Sequence, residues 1–134
     1  MGPADYDKQQ DLFTTSTARL LRNKGKYPIV LSTSCYTVSF DNYVSIGEAL
    51  LMEPDKGAVA VSGTAWKSQA SADHFFHEYL MRMMYQGKAK RIGDAILAAK
   101  QEIFDKKYRF DIEQSLILLG DPALLVYHPV MPAQ

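Results

Sequence analysis

A short apolar strand that ends just before the only cysteine constrains this chain more than any other stretch. Residues 27–40 read YPIVLSTSCYTVSF, in which Ile29–Leu31 is an apolar run with β-branched side chains. Pro28 precedes the run and cannot donate to a strand ladder. This pattern is typical of a buried strand in a parallel sheet. Small polar residues end the strand and deliver Cys35 at its carboxyl end.

The position of Cys35 makes it the leading functional candidate. Ligands of open α/β sheets bind in the crevice outside the carboxyl ends of the strands, where a thiol is well placed to be a nucleophile. By residue type alone, a lone cysteine is more often a small buried hydrophobe. Cys35, however, follows the strand among hydroxyl side chains rather than lying within the apolar run. The thiol is therefore packing material, a redox liability or a reactive group, and its position favours the last.

Length, composition and charge limit the class of protein. At 134 residues the chain is one domain with a modest core. Hydrophobic residues make up 47% and charged residues 22%, which is typical of a soluble globular protein and argues against disorder. Fifteen basic and fifteen acidic residues cancel, so no nucleic acid or membrane partner is expected. The polar N-terminus is unlike a signal peptide.

Caps and apolar spacing predict four helices. The first begins at Thr14 or Ser16, and a capping box from Ser45 to Glu48 begins the second. Ser71 is expected to cap the third, with Asp73 in its first turn and Gly87 at its end. The third helix carries an apolar stripe formed by Phe75, Phe76, Tyr79, Leu80, Met83 and Met84. The fourth, over about 92–103, has one face formed by Ile92, Ala95, Ile96, Ala99 and Ile103.

Further strands are predicted at 58–61, where Ser62, Gly63 and Thr64 end the run, and at 116–119, with a fourth extended stretch at 123–127. The order α-β-α-β-α-α-β-β predicts an α/β fold, a mostly parallel sheet flanked by helices. The loops 35–44 and 62–70 then open at the same sheet edge. Residues 1–10 are expected to be a flexible lead, and 129–134 an irregular tail.

A nucleophilic thiol needs a base, usually histidine, and N–H groups that form an oxyanion hole. His74, His77 and His128 all lie downstream of the cysteine. The segment around His74 and His77 lacks the order H-E-x-x-H, and two ligands alone do not close a metal site. We interpret these two as solvated helix residues and His128 as a surface residue. No metal site is predicted.

No cofactor is predicted, because the chain lacks a glycine-rich phosphate loop and a G-x-S-x-G elbow. Isolated acidic residues leave calcium binding open. Trp66 is the only tryptophan and lies in a polar stretch. It either caps the edge of the core or forms the wall of a substrate pocket.

A series of segments resembles a known family. These segments are STSCYT, SIGEALL, GAVAVSGTAW, FFHEYL, IGDAILAAKQEIF and LLGDPALLVY. In this order and spacing they are similar to the C-terminal half of gingipain-family cysteine peptidases, the caspase-like (clan CD) enzymes of bacteria. The resemblance covers about residues 19–128, and its most specific parts are GDPAL and the strand ending in S-x-x-C. CHAT-type caspase-like peptidases share the middle part but match GDPAL less well.

The resemblance implies a caspase-like α/β fold in which Cys35 is the nucleophile and its own N–H contributes to the oxyanion hole. The thiol would be acylated by a peptide carbonyl, and the thioester would then be hydrolysed. The resemblance also implies a substrate cleft with Trp66 as a wall for the P1 side chain. The residues expected to bind substrate are Ser34, Ser62, Gly63, Thr64, Ala65 and Trp66.

The chain departs from the family in two ways. The family's catalytic histidine lies in a His-Gly segment upstream of the cysteine, and no histidine precedes Cys35 here. Residues 1–134 are therefore expected to be the C-terminal portion of a caspase-like peptidase domain, inactive or nearly so alone. The N-terminal half of the domain is an expected partner, and without it the open strand edge predicts self-association. By resemblance alone, the protein is expected to be secreted or on the bacterial cell surface.

The second departure is Val38, which stands where the family has a glycine that permits positive φ. It leaves open a non-catalytic caspase-like binding or scaffold module. A redox-sensing flavodoxin-like domain is a more remote alternative, and it requires a reactive Cys35 without peptide turnover.

Overall fold

The computed structural model describes residues 13–41, 43–86, 89–105 and 115–126. In these ranges the chain forms four helices and three strands in the predicted order. They are α1 (Thr15–Arg19), β1 (Ile29–Leu31), α2 (Ile46–Met52), β2 (Ala60–Thr64), α3 (Ala70–Tyr85), α4 (Ile92–Asp105) and β3 (Leu116–Gly120). The predicted lead and tail, Gly87 and His128 lie outside the described residues.

The sheet is mixed, in the strand order β1-β2-β3. β1 runs parallel to β2, with Val30 opposite Val61, whereas β3 runs antiparallel to β2, with Leu119 opposite Val61. The predicted α/β sheet flanked by helices is confirmed, but only one of its two pairings is parallel. The reason is that α3 and α4 pack against each other as a pair, so the chain returns to the edge at which β2 ended.

The predicted fourth extended stretch does not form a strand among the described residues. Its one ladder contact is an isolated antiparallel bridge between Leu125 and Arg91. Pro122 and Ala123 form a turn before it, and the Pro122 carbonyl accepts a hydrogen bond from the Gly93 N–H at 3.0 Å. The GDPAL segment therefore fastens the end of the sheet to the start of α4.

β2 lies further along the chain than predicted. The small polar residues Ser62, Gly63 and Thr64 do not end this strand but form its buried carboxyl half. They can do so because β3 runs beside them as far as Leu116. A Cβ atom at Gly63 would lie 3.0 Å from the Cβ of Thr37, so only a small residue fits beneath the cysteine loop.

The first turns of the helices show which caps form. The predicted capping box of α2 is confirmed: Glu48 N donates to Ser45 Oγ at 3.3 Å, and Ser45 N donates to the Glu48 carboxylate at 2.8 Å. The predicted cap of α3 at Ser71 is wrong. The N–H of Asp73 donates to the carbonyl of Gln69 at 3.0 Å, which makes Gln69 the N-cap and places Ser71 inside the helix.

Two apolar clusters cover the two faces of the sheet. Because side chains alternate along a strand, Ile29 and Leu31 pack with α3 and α4, whereas Val30 packs with α1 and α2. The predicted stripe of α3 and face of α4 are confirmed. Their buried members are Phe76, Tyr79, Leu80, Met84, Ile92, Ala95, Ile96, Ala99 and Ile103. In the described ranges no helix is long and apolar enough to cross a membrane.

Candidate active site

The thiol of Cys35 lies at the carboxyl edge of the sheet, in an exposed turn after β1. The loop after β2 reaches the same edge because the two strands are parallel. The Ser68 N–H donates to Cys35 Sγ at 3.4 Å. The carbonyl oxygen and the hydroxyl oxygen of Ser68 both lie 3.7 Å from the same sulfur. The two loops predicted to open at one edge therefore meet at the thiol.

The backbone of the cysteine loop continues to pair with the chain beyond β1. Tyr36 N donates to the Trp66 carbonyl at 3.3 Å, and Val38 N donates to the Thr64 carbonyl at 3.2 Å. Tyr36 has φ of 56°, in the left-handed region that non-glycine residues seldom adopt. Val38 is not among the positive-φ residues and is fully buried. The loop therefore accommodates valine at this position and has its left-handed turn at Tyr36.

Hydrogen bonds from hydroxyl groups beneath the cysteine loop stabilise it. The carbonyl oxygen of Ser34 accepts from Thr37 Oγ1 at 2.9 Å and from Thr64 Oγ1 at 3.1 Å. Ser32 Oγ lies 2.7 Å from Thr37 Oγ1. The N–H of Cys35 makes no hydrogen bond to any other described residue, but it acts on its own sulfur and helps to lower the pKa of the thiol. It is thus a donor that no other described residue uses.

The environment of the sulfur favours its charged form. The Ser68 N–H makes the largest contribution to lowering the pKa of Cys35, and the Ser68 hydroxyl would lower it further only if its proton pointed at the sulfur. Desolvation and the negative charge of Asp73 act in the opposite direction. Asp73 is only 3% exposed, and its Oδ2 accepts a hydrogen bond from Ser68 Oγ at 2.6 Å. A buried carboxylate is thus one side chain away from the thiol.

The residues predicted to line a substrate cleft fall into two groups, those in β2 and those in the loops. Ser62, Gly63 and Thr64 are buried in β2, so the prediction that they belong to an open loop is wrong. Ala65 is half-buried and Trp66 is 60% exposed, both in the loop after β2. Ser34 is exposed immediately before the cysteine.

An open cleft of about 490 Å³ lies beside Trp66. Its wall includes Tyr36, whose ring meets the indole edge to face, with 5.5 Å between the ring centroids. The remaining lining residues were not predicted, and they come from α1, from the segment after the cysteine and from the start of α2. They are Thr15, Ser39, Asp41, Tyr43, Val44, Ser45 and Ile46. The aromatic residues that follow Cys35 in the sequence were the signal that could have indicated this part of the cleft.

The described histidines do not form a base for the thiol. Neither His74 nor His77 makes a hydrogen bond to Cys35. His74 is exposed, as predicted, but His77 is half-buried rather than solvated. The Nδ1 of His77 lies 2.8 Å from the carbonyl oxygen of Asp73, and its ring packs against Phe76. Among the described residues, no group of three acidic, histidine or cysteine side chains could hold a metal ion.

Comparison with known protein families identifies the family to which this chain belongs. The family model for peptidase family C25 matches residues 2–127. The chain belongs to peptidase family C25. It therefore carries a cysteine-peptidase-type domain. A search of curated proteins found no match.

A solved family C25 fold agrees with the one described here. The crystal structure of the Arg-specific cysteine proteinase gingipain R superposes with a TM-score of 0.77 at 18% sequence identity. The match covers 85% of this chain and 29% of that chain. The predicted gingipain-like, caspase-like fold is confirmed, and the chain spans less than a third of the gingipain R chain.

Proposed function

We propose that this chain supplies the nucleophile of a gingipain-type cysteine endopeptidase and that Cys35 is that nucleophile. The observation that carries the proposal is the position of an exposed thiol at the carboxyl end of β1, in contact with the Ser68 N–H. An N–H donor stabilises a thiolate, and the thiolate is the reactive form of cysteine. Membership of family C25 supports the same assignment.

In the proposed reaction, a general base removes the thiol proton, and Cys35 Sγ attacks the carbonyl carbon of a peptide bond and forms an S–C bond. The carbonyl oxygen becomes an oxyanion that the N–H of Cys35 stabilises. The C–N bond then breaks, and the amine leaves with a proton from a general acid. Water hydrolyses the thioester, which restores the thiol and releases the acid product.

The general base and acid is a histidine from the remainder of the peptidase domain. Neither described histidine bonds to Cys35. We assign residues 1–134 to the C-terminal portion of the domain, with its N-terminal half as the partner that brings the histidine. By itself the 134-residue chain is expected to have little or no peptidase activity.

Peptide or protein substrates would lie along the edge of the sheet. We assign Trp66 to the wall for the P1 side chain, with Ala65 and Ser34 beside it. The exposed indole and the adjoining cleft support this assignment. The buried residues Ser62 to Thr64 would act from beneath, by holding the cysteine loop in place.

The open edge of β1 is where the missing part of the sheet would pair. Among the described strands β1 has a partner on one side only, and all three of its residues are half-buried. An uncovered strand edge with apolar side chains favours pairing with another chain. The isolated 134-residue chain should therefore self-associate in sedimentation velocity runs. A stable monomer throughout the concentration series would contradict this part of the proposal.

Peptide hydrolysis tests the function. The native chain that contains these 134 residues is assayed against fluorogenic peptides that differ at P1, beside its Cys35→Ala and Ser71→Ala variants. Ser71 is an exposed residue of α3 and serves as the matched control. Hydrolysis that is lost only in Cys35→Ala supports the peptidase. If the folded native chain cleaves no peptide, the non-catalytic scaffold is the better account.

A further inference from the structure

We propose that Asp73 is a positioning residue for Cys35, because it holds the proton of the Ser68 hydroxyl and so turns Ser68 Oγ into a hydrogen-bond acceptor facing the sulfur. This inference rests on the proposed role of Cys35 as nucleophile and adds the hydrogen-bond arrangement that sets the protonation of its thiol. In this arrangement the Ser68 N–H is the one donor that Ser68 offers to the thiolate.

The distances decide where the hydroxyl proton lies. A serine hydroxyl has a single proton to donate. The Asp73 carboxylate oxygen is 2.6 Å from Ser68 Oγ, whereas Cys35 Sγ is 3.7 Å from it. A hydrogen bond to a charged oxygen at the shorter distance is much the stronger of the two. While Asp73 is ionised, the hydroxyl therefore donates to the carboxylate and presents its lone pairs to the sulfur.

The burial of Asp73 makes this bond hard to give up. The side chain is 3% exposed, and its Oδ1 has no hydrogen-bond partner in the described part of the chain. The Ser68 hydroxyl is the only described donor to this carboxylate. Because Asp73 lies in the first turn of α3, the helix N-terminus favours its negative charge. Releasing the hydroxyl toward the sulfur would leave both carboxylate oxygens buried and unbonded.

Among the described residues, few charged groups act on the thiol. Asp73 is the charged side chain that acts on Cys35, and its charge raises the pKa of the thiol. Lys67 precedes Ser68 in the same loop, but it is exposed and forms no ion pair among the described residues. Asp73 thus opposes the thiolate twice, through its charge and by keeping the Ser68 proton.

As a consequence, the nucleophile is a protonated thiol with a fixed orientation until a base removes its proton. The S–H of Cys35 can donate to the Ser68 carbonyl or hydroxyl oxygen, both at 3.7 Å. The N–H of Ser68 remains directed at the sulfur and stabilises the thiolate as soon as a base removes the proton. Activation of the thiol would then depend on that base, while Ser68 and Asp73 fix the position of the sulfur before the base acts.

A double-mutant cycle at positions 68 and 73 tests where the Ser68 hydroxyl donates its hydrogen bond. Because Cys35 is the only cysteine, isotope-labelled cysteine gives one NMR signal whose pH titration reports its pKa. Iodoacetamide alkylation across the same pH range gives an independent profile. Four folded proteins are compared: the wild-type chain, Asp73→Asn, Ser68→Ala and the double variant. Asp94→Asn, in the first turn of α4 and exposed, is the matched control.

The proposal predicts that the effect of Ser68→Ala depends on residue 73. Asp73→Asn removes the charge and frees the hydroxyl, so alkylation at pH 6.5 should become about threefold faster or more, half a pKa unit or more. Adding Ser68→Ala to Asp73→Asn should remove part of that gain. With Asp73 intact, Ser68→Ala should not slow alkylation, and Asp94→Asn should leave the profile unchanged.

Two results would overturn the proposal. One is an unchanged cysteine pKa in folded Asp73→Asn. The other is a raised pKa in Ser68→Ala with Asp73 intact, since this would mean that the hydroxyl donates to the thiolate. If Asp73→Asn does not fold, the Ser68→Ala result alone decides. Because these measurements need no peptide substrate, they stay informative if the peptidase assignment fails.

Discussion

The N–H of Tyr36 donates to the carbonyl oxygen of Trp66 at 3.3 Å, while the rings of the same two residues meet edge to face. This pair joins the loop that carries Cys35 to the loop that carries Ser68. Tyr36 adopts a left-handed φ of 56°, which costs an L-residue about 1–2 kcal/mol. The contacts with Trp66 help to offset that cost next to the thiol.

Removal of the Tyr36 ring should expose the indole of Trp66. Because Trp66 is the only tryptophan, intrinsic fluorescence reports this site alone. We expect Tyr36→Ala to shift the emission to longer wavelength and to increase quenching by acrylamide. Tyr27→Ala is the matched control, since Tyr27 is similarly exposed and lines a different cleft. Equal spectra for the wild-type chain and Tyr36→Ala would show that the ring contact is absent in solution.

A methyl group at Gly47 should destabilise the chain. Its Cβ would lie 2.7 Å from Val38 Cγ1 and 3.0 Å from the Thr37 carbonyl oxygen, where α2 packs under the cysteine loop. Alanine favours a helix by about 1 kcal/mol over glycine, but overpacking costs about 1–3 kcal/mol. We expect Gly47→Ala to lower the free energy of unfolding in urea by about 1 kcal/mol.

The double variant Gly47→Ala/Val38→Ala tests the cause of that loss. It removes the side chain that the new methyl group would meet. Its destabilisation should therefore be smaller than the sum of the two single effects. Strict additivity, or a Gly47→Ala chain more stable than the wild type, would contradict the described packing of α2.

The pH dependence of Cys35 alkylation should reflect its contact with Ser68. Hydrogen bonding to the sulfur favours the charged form, so the pKa of the thiol is lowered and the thiolate is populated at lower pH than usual. The midpoint of the iodoacetamide profile should thus fall below the free value of about 8.5. Ser68→Pro removes the N–H donor and should raise the midpoint. A wild-type midpoint at or above the free value would refute the described geometry.

Local patterns predicted the elements that depend on near neighbours. The capping box from Ser45 to Glu48 spans one helical turn, and the apolar face of α4 repeats within one helix. The place of Cys35 after β1 followed from one short run. Such features need no knowledge of distant partners, so they could be read from the sequence.

Features that depend on distant partners were missed. Ser62 to Thr64 look like strand terminators until β3 is placed beside them and Thr37 above them. The contact between Cys35 and Ser68 joins residues 33 positions apart, and no spacing rule links them to Asp73. The left-handed turn lies at Tyr36, whereas the family pattern raised the question of positive φ only at Val38, where valine resists it.

Covalent trapping by a substrate-like inhibitor distinguishes a catalytic Cys35 of this family C25 chain from a thiol that is merely exposed. The native chain that contains these 134 residues is incubated with peptidyl acyloxymethyl ketones of varied P1 residue and mapped by mass spectrometry. If Cys35 is the nucleophile, we expect a thioether on Cys35 in the folded protein that is absent in Cys35→Ser and after unfolding in urea. A folded chain in which iodoacetamide modifies Cys35 but no peptidyl ketone does would contradict it.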